Sequence, residues 1–245
     1  MHRYRRFVGW VRALAVAIIA SVYPHALMGI DHVLTTPSDA VTRGLAVVGA
    51  VLAFKIIEGV ALGLVDNSRT VRRLLLGRHF IEGWWVDVVK ESESAPATSG
   101  AVFEIRWEEG SYVVEGESYG VDGDSFGEFH CDACEYDAKA RRLRYAYTGI
   151  NARHPGGRLD GYGEYRFKGD GPPNRIVGHI TDSYHSDVTL FAERVEGPED
   201  LRDIREPQTK ARLVRDLARL GTDGEMERPR ELLGAREQKM IDGSA

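Results

Sequence analysis

A chain of 245 residues with a formal charge of −5 has room for one ordinary domain plus a smaller appendage. It lacks the clustered excess of Lys and Arg that neutralising a nucleic-acid backbone requires, so DNA is not an expected partner. Only two cysteines occur, Cys131 and Cys134, too few for a disulfide framework in a chain of this length, which fits a reducing compartment.

Residues 7–30 are almost continuously apolar, broken by Arg12, Pro24 and His25, and residues 44–65 are again apolar apart from Lys55 and Glu58. A bilayer's hydrocarbon core takes about 20 helical residues, so each run is long enough to cross it. The spacer, residues 31–43, is short and broken by Pro37, Ser38 and Asp39. The two runs therefore read as a pair of transmembrane helices, a hairpin anchor comprising residues 1–76. Lys and Arg resist translocation. Arg3, Arg5, Arg6 and Arg12 at the first span, and Arg69, Arg72, Arg73 and Arg78 after the second, place both termini in the cytoplasm. The rival reading of residues 7–30 is a secretory signal peptide, although no small-x-small cleavage pattern follows cleanly near Pro24 and His25.

Charges near the middle of a span cost about 3 kcal/mol each unless paired or facing protein. Lys55 and Glu58 stand three residues apart, on one helical face. They form either an intrahelical pair with a snorkelling lysine or a pair that faces a neighbouring subunit or a polar path and takes part in a membrane function. A third reading, residues 44–65 as the buried helix of a soluble fold, sits poorly with the composition of the first span.

After Gly77 the period shortens to two. Eight segments rich in Val, Ile, Tyr, Phe and Trp, separated by Gly, Asp, Asn and Pro, run over residues 83–89, 101–108, 111–119, 126–136, 142–150, 159–168, 174–183 and 187–195. Eight consecutive strands with hairpin-length links predict an antiparallel meander that closes into an up-and-down barrel over residues 77–196, cytoplasmic and able to enclose a small ligand. Alternation turns Phe103, Ile105 and Trp107 inward, likewise Leu143, Tyr145 and Tyr147, and Gly161, Gly163, Tyr165 and Phe167. In the first strand it turns Trp84, Val86 and Val88 inward and leaves Trp85 beside Asp87. Inward glycines (Gly161, Gly163, Gly149, Gly178) leave either a ligand cavity or the tight corners that small barrels need.

The Gly83-Trp84-Trp85 run has the Gly-x-Trp form that opens the first strand of lipocalin-like barrels, and Arg194 lies in the last strand, where such barrels place an Arg across that Trp. The contact is a cation–π closure of the barrel floor. Two spans followed by such a barrel, over roughly residues 7–195, also resemble the two-transmembrane, β-strand-rich effectors of bacterial CBASS anti-phage systems, a resemblance of architecture. It implies a barrel that binds a cyclic oligonucleotide, assembly into a homo-oligomer, and disruption of the inner membrane in which the chain would be a multi-pass protein.

A cyclic dinucleotide needs cationic forks for its phosphates and aromatic faces for its bases. Trp107, Tyr145, Tyr147 and Tyr165 on inward faces, with Arg144, Arg166, Arg175 and His179 near a rim, are the candidates. Core packing for each aromatic and a solvated outer face for each Arg are the plain readings. The other ligand class is a small apolar molecule, which needs no basic rim, and a third reading is a scaffold for a protein partner. No enzyme, metal or cofactor is expected. His130, Cys131 and Cys134 lack a fourth ligand, and positions 131 and 134 point to opposite faces of a regular strand. Asp182, His185 and Ser186 lack the order of a hydrolase triad.

From Gly197 onward charge of both signs and Pro198, Pro207 and Pro229 predict a largely extended tail, residues 197–245. One amphipathic helix stands out, capped by Thr209, with Leu213, Val214, Leu217 and Leu220 in a stripe. It either packs on the barrel or rests on anionic lipid.

Overall fold

The computed structural model describes residues 9, 12, 13, 16, 17, 39–90, 95–108, 110–153, 156–183 and 188–222. The first expected span, residues 7–30, lies outside these except for Gly9, Arg12, Ala13, Val16 and Ala17, each helical. The second is a helix, α1 (Asp39–Asn67), in which Val48–Asn67 is long and apolar enough to cross a bilayer. Among the described residues no other helix meets that criterion. Its Val51, Leu52, Ile56, Val60 and Leu64 are exposed, an apolar surface suited to lipid.

Asn67 ends α1, and Ser68 starts a second helix, α2 (Arg69–Leu76), by accepting from the Val71 N–H at 3.3 Å. Gly77, at φ 50°, ends it, and a 3₁₀ turn (Gly77–His79) leads into the barrel. Arg72 fastens this junction. Buried, it donates to both Glu82 carboxylate oxygens at 2.7 and 2.8 Å and to the terminal α1 carbonyls of Val65 and Asp66 at 2.9 and 2.7 Å.

The eight expected segments are all strands, each within two residues of its expected bounds: β1 (Gly83–Lys90), β2 (Ser99–Glu108), β3 (Ser111–Gly120), β4 (Ser125–Asp137), β5 (Arg142–Asn151), β6 (Arg158–Lys168), β7 (Arg175–Asp182) and β8 (Val188–Arg194). Each pairs antiparallel with its sequence neighbour, and β8 returns to β1, with Trp85 opposite Arg194 and Val88 opposite Phe191. The barrel is closed and has no free edge.

Two apolar clusters share the wall. Inside lie Trp85, Phe103, Ile105, Leu143, Tyr145, Tyr165, Phe167 and their neighbours. Outside, Val86, Val88, Val102 and Tyr119 meet Ala211, Val214, Leu217 and Ala218 of a helix that lies across β1–β3. The expected face of β1 is thus reversed. Trp85 and Asp87 point in, whereas Trp84, Val86 and Val88 are covered from outside, because a helix gives the outer face an apolar partner of its own.

The covering helix is α4 (Pro207–Thr222), preceded by a short α3 (Pro198–Asp203) where extended chain was expected. Pro207 occupies the start of α4 and Thr209 lies within it, so Thr209 is not the cap. Val214 and Leu217 are buried and Leu220 is exposed. Lys210 pairs with Glu117 of β3, and burial of each large side chain contributes about 1.5–3 kcal/mol. Residues 223–245 of the tail lie outside the described residues.

Candidate functional site: an aromatic chamber in the barrel

At the barrel end nearer α1 the interior is filled. The Trp85 indole N–H donates to the Ile81 carbonyl at 3.1 Å, its ring meets Phe167 edge-on at 5.6 Å, and the Arg194 guanidinium lies 5.4 Å from it. That is the cation–π closure expected from the Gly-x-Trp run, with Trp85 as its aromatic partner.

Above this floor the inward residues of β5 and β6 form an aromatic wall. Tyr145 lies opposite Gly163, and Tyr147 opposite Gly161. A Cβ at Gly161 would stand 2.5 Å from the Tyr147 ring, and one at Gly163 would collide with Tyr145. The inward glycines are therefore occupied by neighbouring rings, which lie across the β6 backbone. Tyr145 contacts Tyr165 at 4.6 Å and Tyr147 at 5.8 Å, while Phe129 meets Tyr147 at 5.9 Å.

A chamber of about 130 Å³ remains between these rings, Leu190 and Asp87. It continues toward Asn151, Asp182 and Val188, at the strand ends away from α1. The Tyr147 hydroxyl reaches Asp182 at 3.5 Å. Asp87 is the acid of the chamber: one carboxylate oxygen accepts from the Ala101 N–H at 2.6 Å, and burial pushes its pKa up to about 7. Burial, with Asp87 adding to it, also holds the Tyr145 and Tyr165 phenols far above their ordinary range. The chamber therefore offers aromatic and aliphatic walls, polar groups such as Asn151 and Asp182 along its lining, the Asp87 carboxyl that changes charge near neutrality, and the Tyr145 and Tyr165 phenols that stay protonated.

A second cavity, of about 210 Å³, lies below the floor between α1, α2 and the ends of β2–β4, lined by Val65, Leu75, Leu76, Trp107, Tyr112 and Tyr136. The Tyr136 hydroxyl is buried without a hydrogen-bond partner among the described residues.

Of the residues expected to bind a nucleotide, Tyr145, Tyr147 and Tyr165 converge on the chamber. Trp107 does not. It lies at the α1 end, with its ring 5.1 Å from Tyr112 and its indole N–H 3.2 Å from Asp66. Arg144 and Arg166 are on the outer wall, where both pair with the buried Glu164 at 3.1 and 2.9 Å. His179 is opposite Glu164 on β7, on the same outer side, and Arg175 pairs with Glu193 at 3.3 Å. The barrel wall thus separates the cationic forks from the aromatic faces.

The cysteines depart from the expectation. A bulge between Cys131 and Ala133 inserts one extra residue, turning both thiol positions inward, and they form a disulfide with Cα atoms 6.7 Å apart. His130 points away from them and pairs with Glu115 at 2.8 Å. Among the described residues no group of three or more His, Cys, Asp or Glu could hold a metal. His185 and Ser186 lie outside the described residues.

Lys55 and Glu58 pair at 3.2 Å on α1, with a third member: Arg12 donates to the other Glu58 oxygen at 2.7 Å. In the sequence Arg12 stands out as an interruption of the first apolar run and as one of the cations that orient it, and nothing there marks it as a partner of Glu58. Asp87 was seen only as a neighbour of Trp85, and its signal was a carboxylate in an otherwise apolar strand. No family model matches the chain, and no curated protein is significantly similar to it.

Proposed function

We propose that this chain is a membrane-anchored binding protein rather than an enzyme, whose barrel takes a small, mainly apolar ligand into the chamber bounded by Asp87, Tyr145, Tyr147 and Tyr165. The observation that carries this reading is the chamber itself: about 130 Å³, walled by rings, inside a closed barrel. That volume suits a molecule of roughly one ring, and concave, mostly apolar sites with a few placed polar groups are where small ligands bind. A cyclic oligonucleotide is larger and anionic, and the acids at this chamber, Asp87 and Asp182, oppose its phosphates.

A second reading is the nucleotide-gated, oligomerising membrane effector of anti-phage signalling, with a two-helix anchor and both termini cytoplasmic. The observation in its favour is the Arg12, Glu58 and Lys55 cluster, since ionisable groups in apolar segments are rarely retained without a role.

One experiment separates the two. Thermal unfolding of the full chain in neutral detergent is followed with phenol, benzyl alcohol and benzylamine, and with cyclic di- and trinucleotides. A ligand that binds only the folded state at a hundredfold excess over its Kd stabilises by about 2.7 kcal/mol. The chamber reading expects a shift with a single-ring compound that Tyr147→Ala reduces and that Arg144→Gln with Arg166→Gln leaves intact. A shift confined to one cyclic nucleotide, abolished by the arginine pair, would overturn it in favour of the effector.

A further inference from the structure

A cleft of about 700 Å³ opens on the outside of the barrel, at its α1 end. Three arginines line it. Arg69 and Arg194 both donate to one acceptor, the Glu82 carbonyl, Arg69 at 3.2 Å. Both guanidinium groups also lie over the Phe80 ring, at 5.8 and 5.6 Å. Gly83, at φ 141°, permits this crowding, since a Cβ there would stand 3.1 Å from Arg69 Nη2 and 3.3 Å from Arg194 Nη2. Arg73 is four residues beyond Arg69 on α2, lines the same cleft, and is exposed. Its guanidinium has no ion pair among the described residues.

Little acid offsets this charge. The Glu82 carboxylate is engaged by Arg72 on the other side of the segment, and Asp200 is engaged by Arg212. Glu196 is the acid that lines the cleft. Burial first, and then Arg69 and Arg73, push the Arg194 pKa down to about 10, against the opposing pull of Glu196 and Glu82. A cluster of like charges held together by the fold is relieved by an anion with several acceptor oxygens, and a guanidinium fork matches phosphate geometry.

The position indicates which phosphate. Arg69 stands two residues beyond the end of the apolar stretch Val48–Asn67. Beside Arg73 on the same short helix, Leu74 is 79% exposed. Headgroup phosphates lie just outside the hydrocarbon core, at the level where α1 ends. We propose that Arg69, Arg73 and Arg194 form a binding site for the phosphate of an anionic phospholipid, taken from the leaflet at the C-terminal end of α1, with Leu74 against its acyl chain. The site is separate from the barrel chamber and does not depend on what the chamber binds.

The test uses the full chain in neutral detergent, with thermal unfolding followed on adding dioctanoyl phosphatidylglycerol, dioctanoyl phosphatidylcholine or inorganic phosphate. The expected result is saturable stabilisation by phosphatidylglycerol alone. Each arginine near a membrane surface contributes about 1 kcal/mol, so Arg73→Gln weakens the apparent affinity about fivefold. Arg69→Lys with Arg73→Lys keeps the charge that directs topology but removes the forks, and also weakens it. Arg73 is exposed, and its guanidinium has no ion pair among the described residues, so its variant tests binding with little effect on folding. Equal shifts with the two lipids, an equal shift with inorganic phosphate, or full retention of the phosphatidylglycerol shift in these variants would each overturn the assignment.

Discussion

Asp87 couples the chamber to pH. Its folded pKa, about 7, stands above the ordinary carboxyl value of 3.8, so between those values the folded state holds more protons than the unfolded one. The stability this group contributes is complete below about pH 4 and is lost as pH rises through 7. The full shift corresponds to about 4 kcal/mol. Glu115, Glu117 and Glu164 have lowered pKa values and act in the opposite sense, losing their contribution as pH falls through the acid range. The comparison with Asp87→Asn isolates the one residue. Urea unfolding at pH 4.5 and pH 8 should show the parent losing stability against the variant at the higher pH, and a difference that does not move with pH would remove Asp87 as the cause. Individual residues were the hardest level to read from sequence. Alternation located Tyr145, Tyr147 and Tyr165, but the inward turn of Cys134 depends on a bulge that no residue type announces. The reversal of Trp84 and Trp85 depends on a helix more than a hundred residues away in the chain.

The strands themselves were legible, because a half-buried strand has a period of two and its breaks fall at Gly, Asp and Asn, whereas the short helix Pro198–Asp203 was not. Apolar alternation survives even where both faces of the wall are covered, as in β1, but it then ceases to say which face is inside. The junction between α1 and β1 was not legible: the partner of Arg72 is Glu82, and the sequence marks Arg72 only as one of several cations after a span. That buried pair makes a sharp prediction. Glu82→Ala leaves a buried guanidinium uncompensated and should cost about 3–5 kcal/mol in unfolding free energy. Replacing both, Arg72→Met with Glu82→Met, should recover most of it. A loss under about 1 kcal/mol for the single change, on the scale of a surface pair, would show that the junction is held elsewhere.

At the scale of the whole molecule, one carboxylate joins the two apolar segments. Glu58 accepts from Arg12, 46 positions earlier, and from Lys55 on its own helix. Glu58→Leu removes the carboxylate that Arg12 and Lys55 share among the described residues, and a lysine left unpaired at mid-span costs about 3 kcal/mol, so the change should lower the membrane-inserted fraction of the full chain. Adding Arg12→Leu should restore part of it, and additive effects of the two changes would exclude direct coupling. The seam between β1 and β8 has a different consequence, in the order of events during synthesis. Trp85 meets a partner, Arg194, more than a hundred residues later in the chain, and such distant contacts are slow to form. Translation proceeds at about 5–20 residues per second, so α1 emerges well before β8 exists to complete the wall. Until then β1 has one unpaired flank, and Val86 and Val88 await α4. Until β8 and α4 (Pro207–Thr222) are made, the barrel is an open sheet, and the interval between β1 and α4 leaves Val86 and Val88 uncovered and open to misassembly with neighbouring chains.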